Sequence, residues 1–204
     1  MLKILDLECV RGDLLLFSGL GFSLKPGELL HVKGANGSGK TTLLRTVCGL
    51  SLPESGEIQW DGISIRKQGD VFRNELTYIG HHNGVKDDLT VLENLRIATM
   101  LSGDRHSEDH LVDALVQIGL GERIDLPAKM LSQGQRRRVS LARLLLSQSK
   151  LWILDEPYTA LDVAVIAVLQ QVIAQHLQGG GMVLLTTHQD VDIEGVVKQL
   201  TLSA

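Results

Sequence analysis

The sequence predicts an α/β fold with an antiparallel β portion and a helical portion, on three observations. Gly34-Ala35-Asn36-Gly37-Ser38-Gly39-Lys40-Thr41-Thr42 lies between a short apolar run and an apolar-periodic stretch. Leu151-Trp152-Ile153-Leu154 is a continuous apolar run that ends in Asp155-Glu156. Between Thr90 and Gln148 the apolar spacing turns helical, and after it the chain returns to strand, helix and strand.

In chain order, Leu2 to Glu8 alternates as a strand does, and Lys25-Pro26-Gly27-Glu28 is a turn. Leu29 to Val32 is a short buried strand feeding the glycine-rich run, and Thr41 to Cys48 follows as a helix that Gly49 ends. Glu57 to Trp60 and Ile63 to Ile65 flank Asp61-Gly62, a hairpin signal. Leu76 to Ile79 is the next strand. Thr90 precedes Glu93 by three residues, as in a capping box. His110 to Leu120 has helical period, and Ser132 is placed to cap a helix running through Arg138 to Leu146. Leu151 to Leu154, Val163 to Leu177 and Met182 to Leu185 then read as strand, helix and strand, with Gly179-Gly180-Gly181 turning between the last two. These elements make one expected domain over 1–204. Its core and β lobe fall at 1–88 and 149–204, and its helical lobe at 89–148.

Composition sets outer limits. The 204 residues suffice for one substantial core, 44% hydrophobic and 22% charged. The formal net charge of −4 supplies no global field toward nucleic acid. Cys9 and Cys48 form no C-x-x-C pair, so neither a disulfide framework nor a cysteine metal site is expected. Asp6 and Glu8 stand where a signal peptide would be apolar. No apolar run reaches the ~20 residues that span a bilayer, so another chain is expected to supply any membrane part.

The run from Gly34 fits G-x-x-x-x-G-K-[ST], the P-loop. Backbone N–H groups from Gly34 through Asn36, Gly37, Ser38 and Gly39 would turn inward around phosphate oxygens, and the helix N-terminus at Lys40, Thr41 and Thr42 adds partial positive charge. Lys40 would reach the terminal phosphates, and the Thr41 hydroxyl would ligate Mg²⁺. The apolar strand delivers Asp155 and Glu156 to the sheet edge where ligands bind in open α/β folds. Asp155 would hold the Mg²⁺ shell. Glu156 would be the base, or water positioner, for attack on the γ-phosphate.

Leu131-Ser132-Gln133-Gly134-Gln135, upstream of the acidic strand, opens a second helix N-terminus able to hold an anion. With the P-loop and the late Thr186-Thr187-His188, it makes the chain resemble the ATP-binding-cassette (ABC) ATPases from end to end. The resemblance implies ATP as substrate and a head-to-tail homodimer formed on ATP. In it Ser132 and Gly134 of one copy close on the nucleotide held by the other. Pro157 to Asp162 resembles the family's loop to the partner copy, and His188 its switch histidine beside Glu156. Arg136-Arg137-Arg138 reads as a solvated face with no assigned chemistry.

Two positions depart from the family. The usual metal- and water-sensing glutamine after the Leu76–Ile79 strand is replaced within Gly80-His81-His82-Asn83, with His82 expected at that place as a metal or water contact. The usual aromatic partner of adenine is replaced by Arg11, whose guanidinium plane can stack on a base or stay on the surface.

Within the family the chain is similar to the ATP-binding subunits of cytochrome c maturation haem exporters. The likeness rests on Leu16 to Leu20, Tyr78-Ile79-Gly80-His81, Leu151 to Ala160 and Leu184 to Gln189. It implies a peripheral place at the cytoplasmic face of the bacterial inner membrane and polytopic membrane subunits as partners. Haem or a haem chaperone would be met only indirectly, and nucleic acid not directly. No haem-ligand motif occurs. The short tail after His188 leaves no expected room for an appended regulatory domain. An ATPase of another exporter (of lipid, drug or polysaccharide) and a non-transport ABC protein acting on nucleic acid or ribosomes are the alternative readings.

Overall fold

The computed structural model describes residues 1–189, 193 and 195–202. Strand β1 (Leu2–Arg11) pairs antiparallel with β2 (Leu14–Leu24), after which β3 (Glu28–Gly34) leads into helix α1 (Lys40–Val47). Strands β4 (Ser55–Trp60) and β5 (Ile63–Ser64) form a hairpin, followed by the short helices α2 (Ile65–Gln68) and α3 (Asp70–Arg73) and by strand β6 (Leu76–Ile79). Helices α4 (Val91–Leu101), α5 (Glu108–Gln117) and α6 (Gln133–Ala142) come next, then β7 (Leu151–Asp155), α7 (Val163–Gln178), β8 (Met182–Thr186) and β9 (Val196–Leu202).

Two sheets result. One is antiparallel in the order β2-β1-β4-β5, and the other is parallel in the order β6-β7-β8-β3-β9. The parallel sheet is covered on both faces, so β7 and β8 are buried at every position. Successive side chains part to opposite sides. Leu29, Trp152, Leu154, Val183 and Leu185 pack with α7 and the helical segment. Leu30, Val32, Leu151, Ile153 and Leu184 pack with α1 and the antiparallel sheet. That period-two division is what joins both cores through one sheet.

The local chemistry accounts for the element ends. Asp61 and Gly62 have φ 50° and 79°, the two positive φ values that a type I′ hairpin turn needs. Thr90 Oγ1 accepts from Glu93 N while Glu93 answers the Thr90 N–H, and Ser132 and Gln135 repeat the arrangement at α6.

Several elements differ from the sequence expectation. The hairpin's second strand stops at Ser64, because α2 begins at Ile65 and buries that side chain. The helix expected through Leu146 is α only to Ala142 and tightens to a 3-10 turn over Arg143–Leu145. Strands β2 and β9 were unforeseen. The β1–β2 register is interrupted by irregularities between Ile4 and Val10, which break simple alternation, and Leu14 and Leu15 stay exposed. β9 owes its place to pairing with β3, a partner far away in sequence.

One stacked pair, half-buried at its histidine, predicts acid sensitivity. His176 of α7 stacks flat on Trp152, ring centroids 3.7 Å apart and planes within 2°. Burial drives the imidazole pKa down to about 4. Burial also lowers that of His31, whose Nε2 lies 3.0 Å from Thr187 O. Below the ordinary histidine pKa of about 6.5 the unfolded chain takes up protons that the folded chain refuses. The stability that neutral histidines provide is therefore present above pH 6.5 and lost as pH falls toward 4. His176→Phe, which keeps an aromatic face on Trp152, should shrink the drop in melting temperature between pH 7.5 and pH 5. Thermal unfolding at the two pH values measures this, and an undiminished drop would refute it.

Candidate functional site

The site grows from the end of β3. Gly34 has φ 155°, and a Cβ there would meet Ser38 Oγ and lie 2.8 Å from Leu202 O, so the loop turns where only glycine fits. Gly39 caps α1 with φ 94° and offers no side-chain acceptor. The first N–H groups of α1 therefore receive no side-chain cap, the arrangement in which a helix start binds anions. Lys40 Nζ lies back along the loop, donating to Gly34 O at 2.8 Å and Ala35 O at 3.1 Å.

Strand β7 brings the acidic pair beside this loop. Thr41 Oγ1 donates to Asp155 Oδ2 at 2.9 Å, and Thr186 Oγ1 donates to Asp155 Oδ1 at 2.7 Å. Asp155 is 2% exposed. Parallel pairing of β7 with β8 sets Asp155 opposite Thr186, which is why that hydroxyl reaches it. At Glu156 the backbone leaves the strand with φ 49°, a strained value for a non-glycine residue. Its N–H donates to Thr186 O at 3.1 Å, and the carboxylate Oε1 is buried with no hydrogen-bond partner among the described residues. His188 Nε2 stands 3.5 Å from that oxygen.

These residues share one cleft of about 430 Å³. Asn36, Gly37, Gly39, Lys40, Thr41 and Thr42 form its floor, and Arg11, His81, Asp155, Glu156 and His188 rise around it with Leu16. Ser38 sits beneath the loop, 2% exposed, its Oγ without a partner among the described residues. Arg11, which the sequence left between base and solvent, lies on the cleft. Of the two adjacent histidines the cleft takes His81, and His82 is not among its walls. The side chain expected here was that of His82; the one that reaches the cleft is His81. The reason is a tertiary contact: β6 ends at Ile79 and the Gly80 carbonyl accepts from Arg137, which fixes the backbone just before His81.

Ser132 and Gly134 do not line this cleft. Ser132 Oγ is spent on the α6 cap, accepting from Gln135 N at 3.3 Å. A Cβ on Gly134 would collide with Ala160 O, so glycine lets the start of α6 pack against the turn after Glu156.

The arginine run is not a solvated face. Arg136 pairs with Asp87 at 2.5 Å and Arg138 with Asp162. Arg137 is buried at 3% exposure and donates to the carbonyls of Gly80, Asp155 and Glu156. Sequence reasoning missed it because three consecutive arginines give no sign of which one turns inward.

Comparison with known proteins bears on this arrangement directly. Residues 17–159 match the family model described as ABC transporter. The chain belongs to the ABC transporter family. The matched span holds the P-loop, the acidic pair and the α6 start, while Arg11 and His188 lie outside it. The ABC chain is 57% identical over 204 residues to the Cytochrome c biogenesis ATP-binding export protein CcmA of Nitrosomonas europaea, covering 100% of this chain and 96% of that protein. It is 54% identical over 198 residues to the protein of the same name from Nitrosospira multiformis, covering 97% and 96%. A putative ABC transporter ATP-binding protein from Pyrococcus furiosus has the same fold, with TM-score 0.85, 26% identity and coverage of 98% and 96%. The α/β fold of this ABC ATPase, with its P-loop and antiparallel sheet, is thus the one the sequence predicted. Among the described residues of the ABC chain, no helix is long and apolar enough to cross a membrane.

Proposed function

We propose that this ABC ATPase is the energy-converting subunit of a membrane complex serving haem export, or release of a haem chaperone, in c-type cytochrome maturation. The observation that carries the ATPase part is the meeting of Lys40, Thr41, Asp155 and the unpartnered Glu156 Oε1 in one cleft. The cytochrome c part rests on relatives that match along nearly their whole length and carry that role in their names.

The phosphates would lie in the loop from Gly34 to Thr42, held by its N–H groups and the start of α1. Lys40 would exchange its contacts to Gly34 O and Ala35 O for the terminal phosphates. Mg²⁺ fits the oxygens already gathered here, since the Thr41 hydroxyl and the Asp155 carboxylate touch and both are hard donors. When bound, the ion would neutralise phosphate charge as the terminal bond breaks. Glu156 Oε1 is the acceptor for the proton of the attacking water. His188, 3.5 Å away, would orient Glu156 and touch the γ-phosphate. Arg11 and Leu16 would face the base, guanidinium plane against its π-face. His81 would sense water or metal from the opposite wall.

Ser132 and Gly134 lie off the chain's own cleft, which fits a head-to-tail pair of copies in which each α6 start closes on the other's nucleotide. The helical stretch 89–148 would then act as a lobe distinct from the core at 1–88 and 149–204. Polytopic subunits would hold the pair at the cytoplasmic face of the inner membrane.

Two measurements test this reading. Cells carrying Lys40→Ala in place of the unsubstituted chain should lose covalent haem from their c-type cytochromes, read by haem staining, while other exported molecules are unaffected. Normal cytochrome c with failure of another export would assign the chain to another exporter. His81→Ala should lower turnover of the assembled complex about 10-fold with ATP affinity retained, and His82→Ala should change it less than twofold. The reverse order would return the role to His82.

A further inference from the structure

Arg137 is the one guanidinium of the α6 run that is enclosed, and its contacts converge on two separate segments, the end of β7 and the loop after β6. Nη2 donates to Asp155 O and Glu156 O, both at 2.9 Å. Nη1 donates to Gly80 O at 2.7 Å and to Asn83 Oδ1 at 3.3 Å, and Nε reaches Pro157 O at 3.4 Å. Among the described residues no carboxylate oxygen pairs with it. The charge is offset by carbonyl dipoles at the end of β7 and by the loop after β6.

We infer that Arg137 is a positioning residue that ties helix α6 to the backbone carrying the Glu156 carboxylate and to the backbone just before His81 across the cleft. The inference rests on the reading of Glu156 as the base. Glu156 leaves β7 with φ 49°, a conformation that surrounding contacts must hold. From one side Thr186 holds its N–H. From the other, Arg137 holds its carbonyl and the one before it. The same guanidinium grips Gly80 O, whose next residue is His81 on the opposite wall. A cavity of about 20 Å³ borders Gln133, Arg137 and Glu156, space for about one water, so nothing bulkier separates the helix start from the base. A shift of α6 is therefore carried to both walls of the cleft through one planar group with donors in fixed directions. Lysine, a single flexible point charge, cannot satisfy three diverging carbonyls at once. The two segments are separate in sequence, and a buried arginine needed only for packing would have no reason to collect the carbonyls of both.

The test compares Arg137→Lys, Arg137→Gln and Glu156→Gln in the chain assembled with its membrane subunits. Steady-state ATP hydrolysis, nucleotide affinity and melting temperature are measured for each. The expected result is a kcat about 10-fold lower for Arg137→Lys and about 100-fold lower for Arg137→Gln, with KM for ATP within threefold. Arg137→Lys should keep its melting temperature within a few degrees, and the partial rescue by lysine over glutamine marks positioning rather than packing. If Arg137→Gln does not fold, Arg137→Lys decides alone. A folded lysine variant with kcat within twofold of the unsubstituted chain overturns the inference while Glu156→Gln stays inactive. So does a parallel change in kcat, KM and melting temperature. Glu156→Gln retaining turnover instead removes the base reading, and the inference with it.

Discussion

Glu156→Gln is expected to bind ATP and all but stop hydrolysing it. The substitution keeps shape but removes the carboxylate that, among the described residues of the cleft, is the proposed acceptor of the water's proton. A positioned base contributes about 10² to 10⁴ in rate, so turnover should fall at least about 100-fold. The loop from Gly34 to Thr42 and the Thr41–Asp155 contact are untouched, so nucleotide affinity should stay within threefold. Hydrolysis and equilibrium nucleotide binding on the same preparation decide it. A variant with turnover near that of the unsubstituted protein would remove Glu156 from the mechanism. Strong loss of binding would show that it serves the cradle instead.

The second large effect is expected at Ser132. Ser132→Arg should abolish turnover although Ser132 lies outside the chain's own cleft. A bulky cation at the start of α6 would block the closure of one copy on the other's nucleotide. ATP should then fail to convert the protein from monomer to dimer mass in light scattering, most plainly when Glu156→Gln is also present to prevent hydrolysis. Loss of the α6 cap costs only about 1 kcal/mol, so the fold should survive. Ser132→Ala isolates that cost and should dimerise normally. An ATP-dependent dimer from the Ser132→Arg chain would count against the head-to-tail arrangement.

What was legible in the sequence was local. Asp61-Gly62 specifies its own turn, because positive φ at two successive positions is a property of those residues. Thr90 with Glu93 caps α4 within one turn, and Ser132 caps α6. The P-loop carries its glycines, lysine and threonine in one contiguous run, and four apolar residues bury β7 and deliver Asp155-Glu156 to its end. Each of these rests on interactions among a few neighbouring residues, so residue type and spacing were enough to determine them.

The tertiary structure decided what depends on distant partners. Strand β9 exists beside β3 because of a pairing that spans most of the chain. Thr186 reaches Asp155 through the β7–β8 register, which no spacing in the sequence encodes. Whether His81 or His82 faces the cleft depends on which carbonyl Arg137 grips, and side chains one residue apart point in different directions. Arg137 itself looked like its neighbours. Only the packing of α6 against the ends of β6 and β7 distinguishes the arginine that is enclosed by carbonyls from the two that pair with Asp87 and Asp162. Burial is a property of the surrounding elements, and it is burial that turns an ordinary surface cation into a strut for the site.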